Sequence, residues 1–239
     1  MKKIFAVLGL LFILPSAVRS QNPGLDEILQ KYLKASAVDK LQKVNTIIST
    51  GTLVQQDAMP IKTIRMRPDK YLQVFDVADI TCYQGYDGTT AWFTAPYSGN
   101  PKPQMMPPDR AGDIKIRADF DGPLVNWKAK GYQLETAGID TVEKALAYKL
   151  KLTRPDAVVE YYSIDQITFL LVKRQFVRMA RGQEVRMDAF YKGYKPVQGI
   201  PFPFTVENYM AGQPFNTVQF ESIELNKPVE DKDFKMPGK

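Results

Sequence analysis

The amino-acid sequence predicts a mainly β (α+β) fold, an incomplete antiparallel β-barrel of about eleven strands with an N-terminal helix and a helical lid insert over an apolar cavity. Three observations predict this fold. Hydrophobic residues recur at helical spacing only near the start of the chain, alternation with a period of two begins at Asn45, and a proline-rich insert interrupts it midway.

The N-terminal helix is predicted just after Pro23-Gly24. Its apolar face consists of five residues at helical spacing, namely Leu25, Ile28, Leu29, Tyr32 and Leu33. A shorter helical piece is predicted over residues 39–44, with Leu41 and Val44 facing inward.

Strands follow wherever apolar and polar residues alternate. Clear examples span residues 145–152, 184–192, 202–210 and 218–221. In the second of these, the inward-facing set is predicted to be Val185, Met187, Ala189 and Tyr191. Turn signals such as Arg67-Pro68-Asp69 and Tyr86-Asp87-Gly88 separate the strands at short intervals, which is typical of an antiparallel sheet.

The middle of the chain breaks this pattern. Residues 97–108 contain several prolines and therefore cannot form a central strand. Residues 109–118 can form a short helix with Asp109 as its N-cap, and a turn at Asp121-Gly122-Pro123 leads into a further short piece, residues 124–130. A loop and helix of this length in a sheet protein usually cover something, so we expect a lid.

The first twenty residues have the order of a secretory signal peptide: Lys2 and Lys3, an apolar run, and small residues before Gln21. A buried N-terminal helix is the alternative interpretation. We expect residues 1–20 to be removed, leaving residues 21–239 as one lipid-binding domain. No cysteine stands at the cleavage site, so we expect a periplasmic protein that is soluble, not lipidated and not an integral membrane protein.

The composition excludes several classes of function. Histidine is absent, which excludes Ser-His-Asp and Cys-His nucleophile systems and His-ligated metals. The net charge of +6 includes Lys2, Lys3 and Arg19 and forms no dense basic cluster, so no nucleic-acid partner is expected. Cys82 is the only cysteine, and we interpret it as a buried small hydrophobe rather than a nucleophile.

The acidic residues suggest no reaction. Most lie on the polar faces of strands, and those of the insert match no calcium-loop spacing; they are Asp109, Asp113, Asp119 and Asp121. No phosphate-binding glycine loop and no paired-cysteine motif is present. The sequence therefore predicts a protein with no catalytic residues, no metal and no cofactor, and not an enzyme.

The sequence is instead rich in methionine and aromatic residues. Each of these residues alone is more typical of a core, but a long curled sheet can enclose more volume than its own side chains fill. The candidate cavity residues are Met66, Tyr71, Trp92, Phe93, Met105, Met106 and Met187.

Three segments carry a resemblance to a known family: Met66-Arg67-Pro68-Asp69-Lys70-Tyr71, the stretch from Tyr86 to Phe93, and the stretch from Asp231 to Pro237. In this order and spacing, the chain resembles the LolA-like periplasmic chaperones that sort outer-membrane lipoproteins. The resemblance covers essentially all of residues 21–239. It implies an incomplete barrel closed by helices, and a carrier that takes the acyl chains of lipoproteins toward the outer membrane.

The resemblance also implies partners and roles. Acylated lipoproteins would be the cargo, an inner-membrane release complex the donor and an outer-membrane acceptor the recipient, with the carrier expected to be a monomer. Arg67 looks like the arginine that holds the lid by hydrogen-bonding its backbone in the empty state, and Trp92 like a cavity or barrel residue. A surface arginine in a turn remains the alternative for Arg67.

One segment departs from the family pattern. Residues 119–124, Asp-Phe-Asp-Gly-Pro-Leu, have no clear counterpart in the best-known carriers. The same fold also occurs in sensor domains, so a non-enzymatic lipid- or protein-binding sensor module is the alternative function. An enzyme would require a polar cluster inside the cavity, and the sequence alone predicts none.

Overall fold

The structure is a computed structural model that describes residues 23–180 and 182–238. The predicted signal peptide, residues 1–20, lies outside the described residues. Across the described ranges, none of the helices combines the length and the apolar character needed to cross a membrane.

Within the described ranges, three α-helices and thirteen strands follow one another. The helices are α1 (Leu25–Ala35), α2 (Val38–Leu41) and α3 (Pro108–Ala118). The strands are β1 (Thr46–Val54), β2 (Ala58–Met66), β3 (Lys70–Val77), β4 (Ile80–Tyr86), β5 (Ala91–Ala95), β6 (Asn100–Met105), β7 (Gln133–Val142), β8 (Ala145–Thr153), β9 (Val159–Asp165), β10 (Leu171–Ala180), β11 (Gln183–Val197), β12 (Ile200–Met210) and β13 (Gln213–Leu225).

All thirteen strands form one antiparallel sheet in the order β6-β5-β4-β3-β2-β1-β13-β12-β11-β10-β9-β8-β7. Two meanders, β1–β6 and β7–β13, meet where β1 pairs with β13, and β6 and β7 end the sheet without pairing to each other. The predicted fold class, an open antiparallel β architecture with few helices, is confirmed, with thirteen strands in place of about eleven.

Strand β6 lies inside the segment predicted to be a loop. It forms the end of the sheet, where Pro101 and Pro103 need no ladder hydrogen bond on their outer side. The prediction that residues 97–108 form no central strand is therefore confirmed, although the segment does include a short edge strand.

The strand register separates the sheet into two faces. The inner face, defined here as the one that carries Tyr71, Arg174 and Leu150, is the face on which the helices pack. Helix α1 places Ile28 and Leu29 against apolar residues of β7, β8 and β9. The inward-facing set predicted for residues 184–192 is confirmed, because Met187 pairs with Phe176 and shares the face of Arg174.

The predicted helices form close to their expected positions. Helix α3 begins at Pro108, where a proline without an N–H suits the first helical position, so Asp109 lies in the first turn rather than at the cap. Helix α2 is shorter than the predicted piece, but Leu41 and Val44 both pack in one cluster with Ile47 and Phe202, as the pattern indicated.

The outer face has a tightly packed cluster of its own. Trp92 is 2% exposed and packs with Leu72 and Phe234, and its Nε1 donates a hydrogen bond of 2.7 Å to the Phe234 carbonyl. Gly85 lies opposite Trp92 on β4, and a Cβ there would lie 2.4 Å from the indole ring, so only glycine leaves room for it. The C-terminal segment is therefore attached to the sheet through this tryptophan.

Candidate functional site

The lid, residues 108–131, spans two distant parts of the curled sheet. Ile114 and Ala118 of α3 pack on Tyr71, Tyr86 and Ala91 at the β3–β5 side. On the other side, Asp113 of α3 pairs with Arg178 of β10, with 3.3 Å between Oδ2 and Nε. Five strands lie between β3 and β10 in the sheet order, so the lid lies across the concave side of the sheet.

The segment after α3 is held by its own polar contacts. Lys130 Nζ binds both carboxylate oxygens of Asp119, at 2.7 and 2.6 Å, and the carbonyl of Gly122 at 2.8 Å. Phe120 is 1% exposed and packs with Val44 in the cluster beneath α2. Residues 119–124, the stretch without a family counterpart, therefore anchor the lid to the N-terminal part of the chain.

Arg67 lies where the N-terminal helices meet the lid. Its Nε donates to the Val44 carbonyl at 2.6 Å and its Nη2 to the Leu41 carbonyl at 2.8 Å. Its Nη1 and Nη2 also form a two-pronged pair with Asp121, at 2.8 and 2.6 Å. The guanidinium carbon lies 4.2 Å from the ring centre of Phe120. Charge-assisted and bidentate bonds of this kind are among the strongest hydrogen bonds in proteins.

Part of the inner face carries apolar side chains that are not fully buried. Leu53, Val218 and Val206 form one row across β1, β13 and β12, and Phe220 occupies the neighbouring row. These four side chains are half-buried, although they face the concave side of the sheet. We call this half-exposed apolar surface, with Phe176 of β10, the hollow.

Polar side chains line the hollow beneath the lid. Glu160 of β9 is 2% exposed, and its Oε2 accepts hydrogen bonds from Arg174 Nε at 2.8 Å and from Tyr162 Oη at 2.5 Å. Arg154 approaches the other oxygen, Oε1, at 3.5 Å. Burial raises the pKa of Glu160, but the attraction and hydrogen bond of Arg174 outweigh it and hold the pKa below its ordinary value.

This geometry makes Glu160 a poor general base. A general base must gain a proton near its working pH, whereas a carboxylate with a depressed pKa between two arginines stays ionised. The phenol of Tyr162 is equally unreactive, because burial raises its pKa well above the ordinary value. The cluster is therefore suited to holding charge in place rather than to proton transfer.

A cleft of about 460 Å³ opens at the edge of the lid. It lies between α3 and the turn that joins β8 to β9, and Ile116, Lys115, Tyr132, Arg154 and Glu160 are among its walls. The cleft gives access to the polar end of the hollow, and its walls are more charged than the sequence analysis expected.

The structure brings only some of the predicted cavity residues together. Tyr71, Phe93 and Met106 pack with α3 beneath the lid, and Met187 lies on the inner face farther along the sheet. Arg67 lies at the lid's attachment point.

Three of the predicted cavity residues lie away from the inner face. Trp92 and Met66 are on the outer face, against the C-terminal segment, because their strand positions have the parity opposite to that of Phe93 and Tyr71. Met105 is 62% exposed on the edge strand. The next residue, Met106, is buried and packs with Tyr71 and Ile114.

The sequence analysis missed the charged groups of the hollow: Arg65, Arg117, Glu160 and Arg174. A signal for one of them was present, because Glu160 interrupts the apolar run Val158-Val159-Glu160-Tyr161-Tyr162. A carboxylate at an inward position of such a strand requires a buried partner.

The acidic residues of the insert form ion pairs rather than a common site. Asp113 pairs with Arg178, Asp119 with Lys130 and Asp121 with Arg67. Within the part of the chain that the structure describes, no group of three His, Cys, Asp or Glu side chains could hold a metal ion. Cys82 is buried, as predicted.

No known sequence family and no curated protein matches the chain by sequence. Solved structures do match. A DUF1329 family protein from Desulfovibrio piger has a TM-score of 0.61 at 14% identity, covering 87% of this chain and 97% of its own. A LolA superfamily protein from Nitrosomonas europaea has a TM-score of 0.60 at 16% identity, with coverages of 90% and 98%.

A third match is a domain from Vibrio parahaemolyticus described as an outer membrane lipoprotein-sorting protein, with a TM-score of 0.58 at 11% identity and coverages of 87% and 96%. Identities this low establish the fold but not the function. The chain therefore has the LolA-like fold, and the resemblance predicted from its sequence is confirmed at the level of the fold.

Proposed function

We propose that this chain binds acyl chains of lipids or lipoproteins in the hollow and carries them without catalysing a reaction. The observation that carries the proposal is the row of half-exposed apolar side chains, Leu53, Val206 and Val218, on a concave face beneath a lid. Each methylene group removed from water gains about 0.8 kcal/mol, so a single long acyl chain covering this row would bind favourably.

The contacts that hold the lid in place oppose ligand binding, because a ligand that moves the lid must break them. Of the three partners of Arg67, Asp121 belongs to the lid, so the two-pronged pair forms only while the lid lies against Arg67 and the N-terminal helices. Hydrogen bonds to charged groups contribute about 1.5–3 kcal/mol each, so a ligand that displaces the lid must offset several kcal/mol. Such a carrier can hold its cargo and still release it, because the Arg67 contacts stabilise the empty state.

The more specific proposal is a periplasmic carrier that takes acylated lipoproteins from an inner-membrane release complex to an outer-membrane acceptor. The signal-peptide pattern of residues 1–20 supports the compartment. The fold shared with the Vibrio parahaemolyticus lipoprotein-sorting domain and the Nitrosomonas europaea LolA superfamily protein supports the cargo.

The direct test is mass spectrometry of lipids extracted from the protein after purification under native conditions. We expect acyl-bearing molecules in a fixed ratio to the protein. A preparation that carries no acyl chains and instead retains a protein partner would contradict the carrier and favour a sensor module of the same fold.

A second experiment tests the role of Arg67. Arg67→Leu removes the contacts with the Leu41 and Val44 carbonyls and with Asp121, so we expect slower release of a fluorescent diacyl lipopeptide to acceptor vesicles. Lys62→Leu is the matched control, because Lys62 is a cation on the outer face of the preceding strand. Loading and release that are unchanged in Arg67→Leu would show that Arg67 is an ordinary turn residue.

A further inference from the structure

Three arginines converge on the hollow from different elements. Arg65 extends from β2 directly opposite Tyr71 of β3 on the inner face. Arg117 extends from α3, the helix whose Ile114 and Ala118 pack on the same tyrosine. Arg174 of β10 is on the inner face and donates a hydrogen bond to Glu160. Tyr71 therefore lies beside Arg65 and beneath the helix that carries Arg117.

The three arginines differ in exposure. Arg117 is exposed on α3, Arg65 is half-buried on β2, and the Arg174 side chain is 14% exposed between Glu160 and Phe176. Arg65 and Arg117 therefore keep part of their side chains accessible to a ligand.

The nearby carboxylates do not balance these cations. Glu160 is shared between Arg174 and Arg154, Asp113 pairs with Arg178, and Asp121 pairs with Arg67. Among the side chains that the structure describes, neither Arg65 nor Arg117 has a carboxylate within 4.0 Å. Burial lowers the pKa of Arg65, although Tyr71 and the more distant carboxylates of Asp119 and Asp121 act in the opposite direction.

The cations adjoin the apolar row. The Arg174 guanidinium lies 4.2 Å from the ring centre of Phe176, two residues along the same strand and on the same face. A ligand with a charged end beside the arginines can therefore extend an apolar tail over Phe176 toward Phe220. Arginine also presents several N–H donors in a plane, which matches the oxygens of carboxylates and phosphates.

We propose that the hollow binds amphiphiles with an anionic head group, a carboxylate or phosphate, whose oxygens are bound by Arg65 and Arg117 while the acyl tail lies along the apolar row. This inference rests on the proposed function and deepens it, because it adds a charge requirement to the acyl-binding hollow.

The test measures displacement of N-phenyl-1-naphthylamine, an uncharged fluorescent probe, by two matched ligand pairs. The pairs are palmitate against hexadecanol, and a phosphatidic acid against the diacylglycerol with the same chains. We expect each acidic ligand to bind about a hundredfold more tightly than its neutral partner, the effect of two charge-assisted hydrogen bonds.

The variants Arg65→Gln and Arg117→Gln should reduce that preference by about tenfold each and leave the neutral ligands unchanged. Lys62→Gln is the control, since Lys62 is on the same strand as Arg65 but on the opposite face. Circular dichroism spectra and melting curves of every variant show that it is folded, and Arg117→Lys, which keeps the charge, should retain part of the preference.

The outcomes separate the two proposals. Equal affinity for acidic and neutral ligands, or an equal loss of preference in Lys62→Gln, overturns the head-group site and leaves acyl binding intact. Failure of every ligand to displace the probe overturns both proposals. Competition by inorganic phosphate alone would indicate an anion site that needs no tail. Preference for acidic lipids without competition by phosphate would show that head group and tail bind together.

Discussion

The outer cluster around Trp92 and the hollow of the inner face differ in how completely they are packed. On the outer face, Trp92 and Phe234 are almost fully buried, and the indole has its hydrogen-bond partner. On the inner face, Val218 and Phe220 remain half-exposed, and charged groups lie beneath the lid. The adjacent residues Trp92 and Phe93 belong to different faces, so one hairpin contributes to both environments.

This difference indicates that the two regions have different roles, one in stability and one in binding. Tight packing and satisfied hydrogen bonds stabilise a fold, whereas unfilled apolar surface costs stability and is retained where a ligand covers it. The outer cluster therefore stabilises the curled sheet, and the hollow is the part available for binding. The predictions below test this comparison, from the largest expected change in stability to the smallest.

Trp92→Ala should lower the free energy of unfolding by about 3–5 kcal/mol, because it leaves a cavity in a packed cluster and the Phe234 carbonyl without its donor. Urea denaturation followed by circular dichroism measures this change. Affinity for acyl ligands should remain unchanged under conditions where the variant is folded. A stability loss below about 1 kcal/mol would contradict the structural role of the outer cluster.

Glu160→Gln should destabilise the protein by about 3 kcal/mol at neutral pH, since it leaves Arg174 without a buried counter-charge. The pKa of Glu160 is depressed, so its stabilising effect is present above the ordinary pKa and is lost as pH falls through the depressed value. Urea midpoints of wild type and variant should therefore converge below about pH 4.5. A constant difference across this range would show that Glu160 does not titrate as the structure indicates.

Asp121→Asn should cost about 1.5–2 kcal/mol, because it weakens the two-pronged pair with Arg67 but leaves the bonds to the Leu41 and Val44 carbonyls. We expect a lower melting temperature and faster uptake of an acyl ligand in stopped-flow fluorescence. Glu224→Gln is the control, since Glu224 is an exposed acid on the outer face. Uptake rates that match in both variants would exclude Asp121 from the lid attachment.

Phe220→Ala should cost less than about 1 kcal/mol of stability, because its ring is already half-exposed to the hollow. Its effect should appear in binding instead, as a three- to tenfold weaker affinity for an acyl ligand, or about 0.7–1.4 kcal/mol. Denaturation and probe displacement measure the two quantities on one sample. A stability loss equal to that of Trp92→Ala would remove the contrast between the faces.

The sequence predicted much of the fold. Alternation identified the inward-facing Met187 and Tyr191, and helical spacing identified Ile28 and Leu29 as the buried face of α1. Alternation, however, shows only that neighbouring residues lie on opposite faces of a strand. It shows that Trp92 and Phe93 lie on opposite faces but not which face the C-terminal segment covers, and for this reason Trp92 was misplaced.

The charged end of the site could not be predicted in the same way. Arg117 lies on the lid helix and Arg174 on β10, and their proximity depends on how the sheet curls and where the lid lies. The local pattern of apolar and polar residues does not show which residues far apart in the sequence come close in the fold. Arg67 was identified through the resemblance, but its carboxylate partner Asp121 belongs to the segment that departs from the family.

The central claim, that acyl chains occupy the concave side of the sheet, can be tested by nuclear magnetic resonance with a spin-labelled fatty acid. A nitroxide on the tail of stearate broadens nearby methyl signals. We predict strong broadening for Leu53, Val206 and Val218 and none for Leu72 and Val74 of the outer face. Broadening confined to the outer face, or absent from both faces at saturating ligand, would contradict the account.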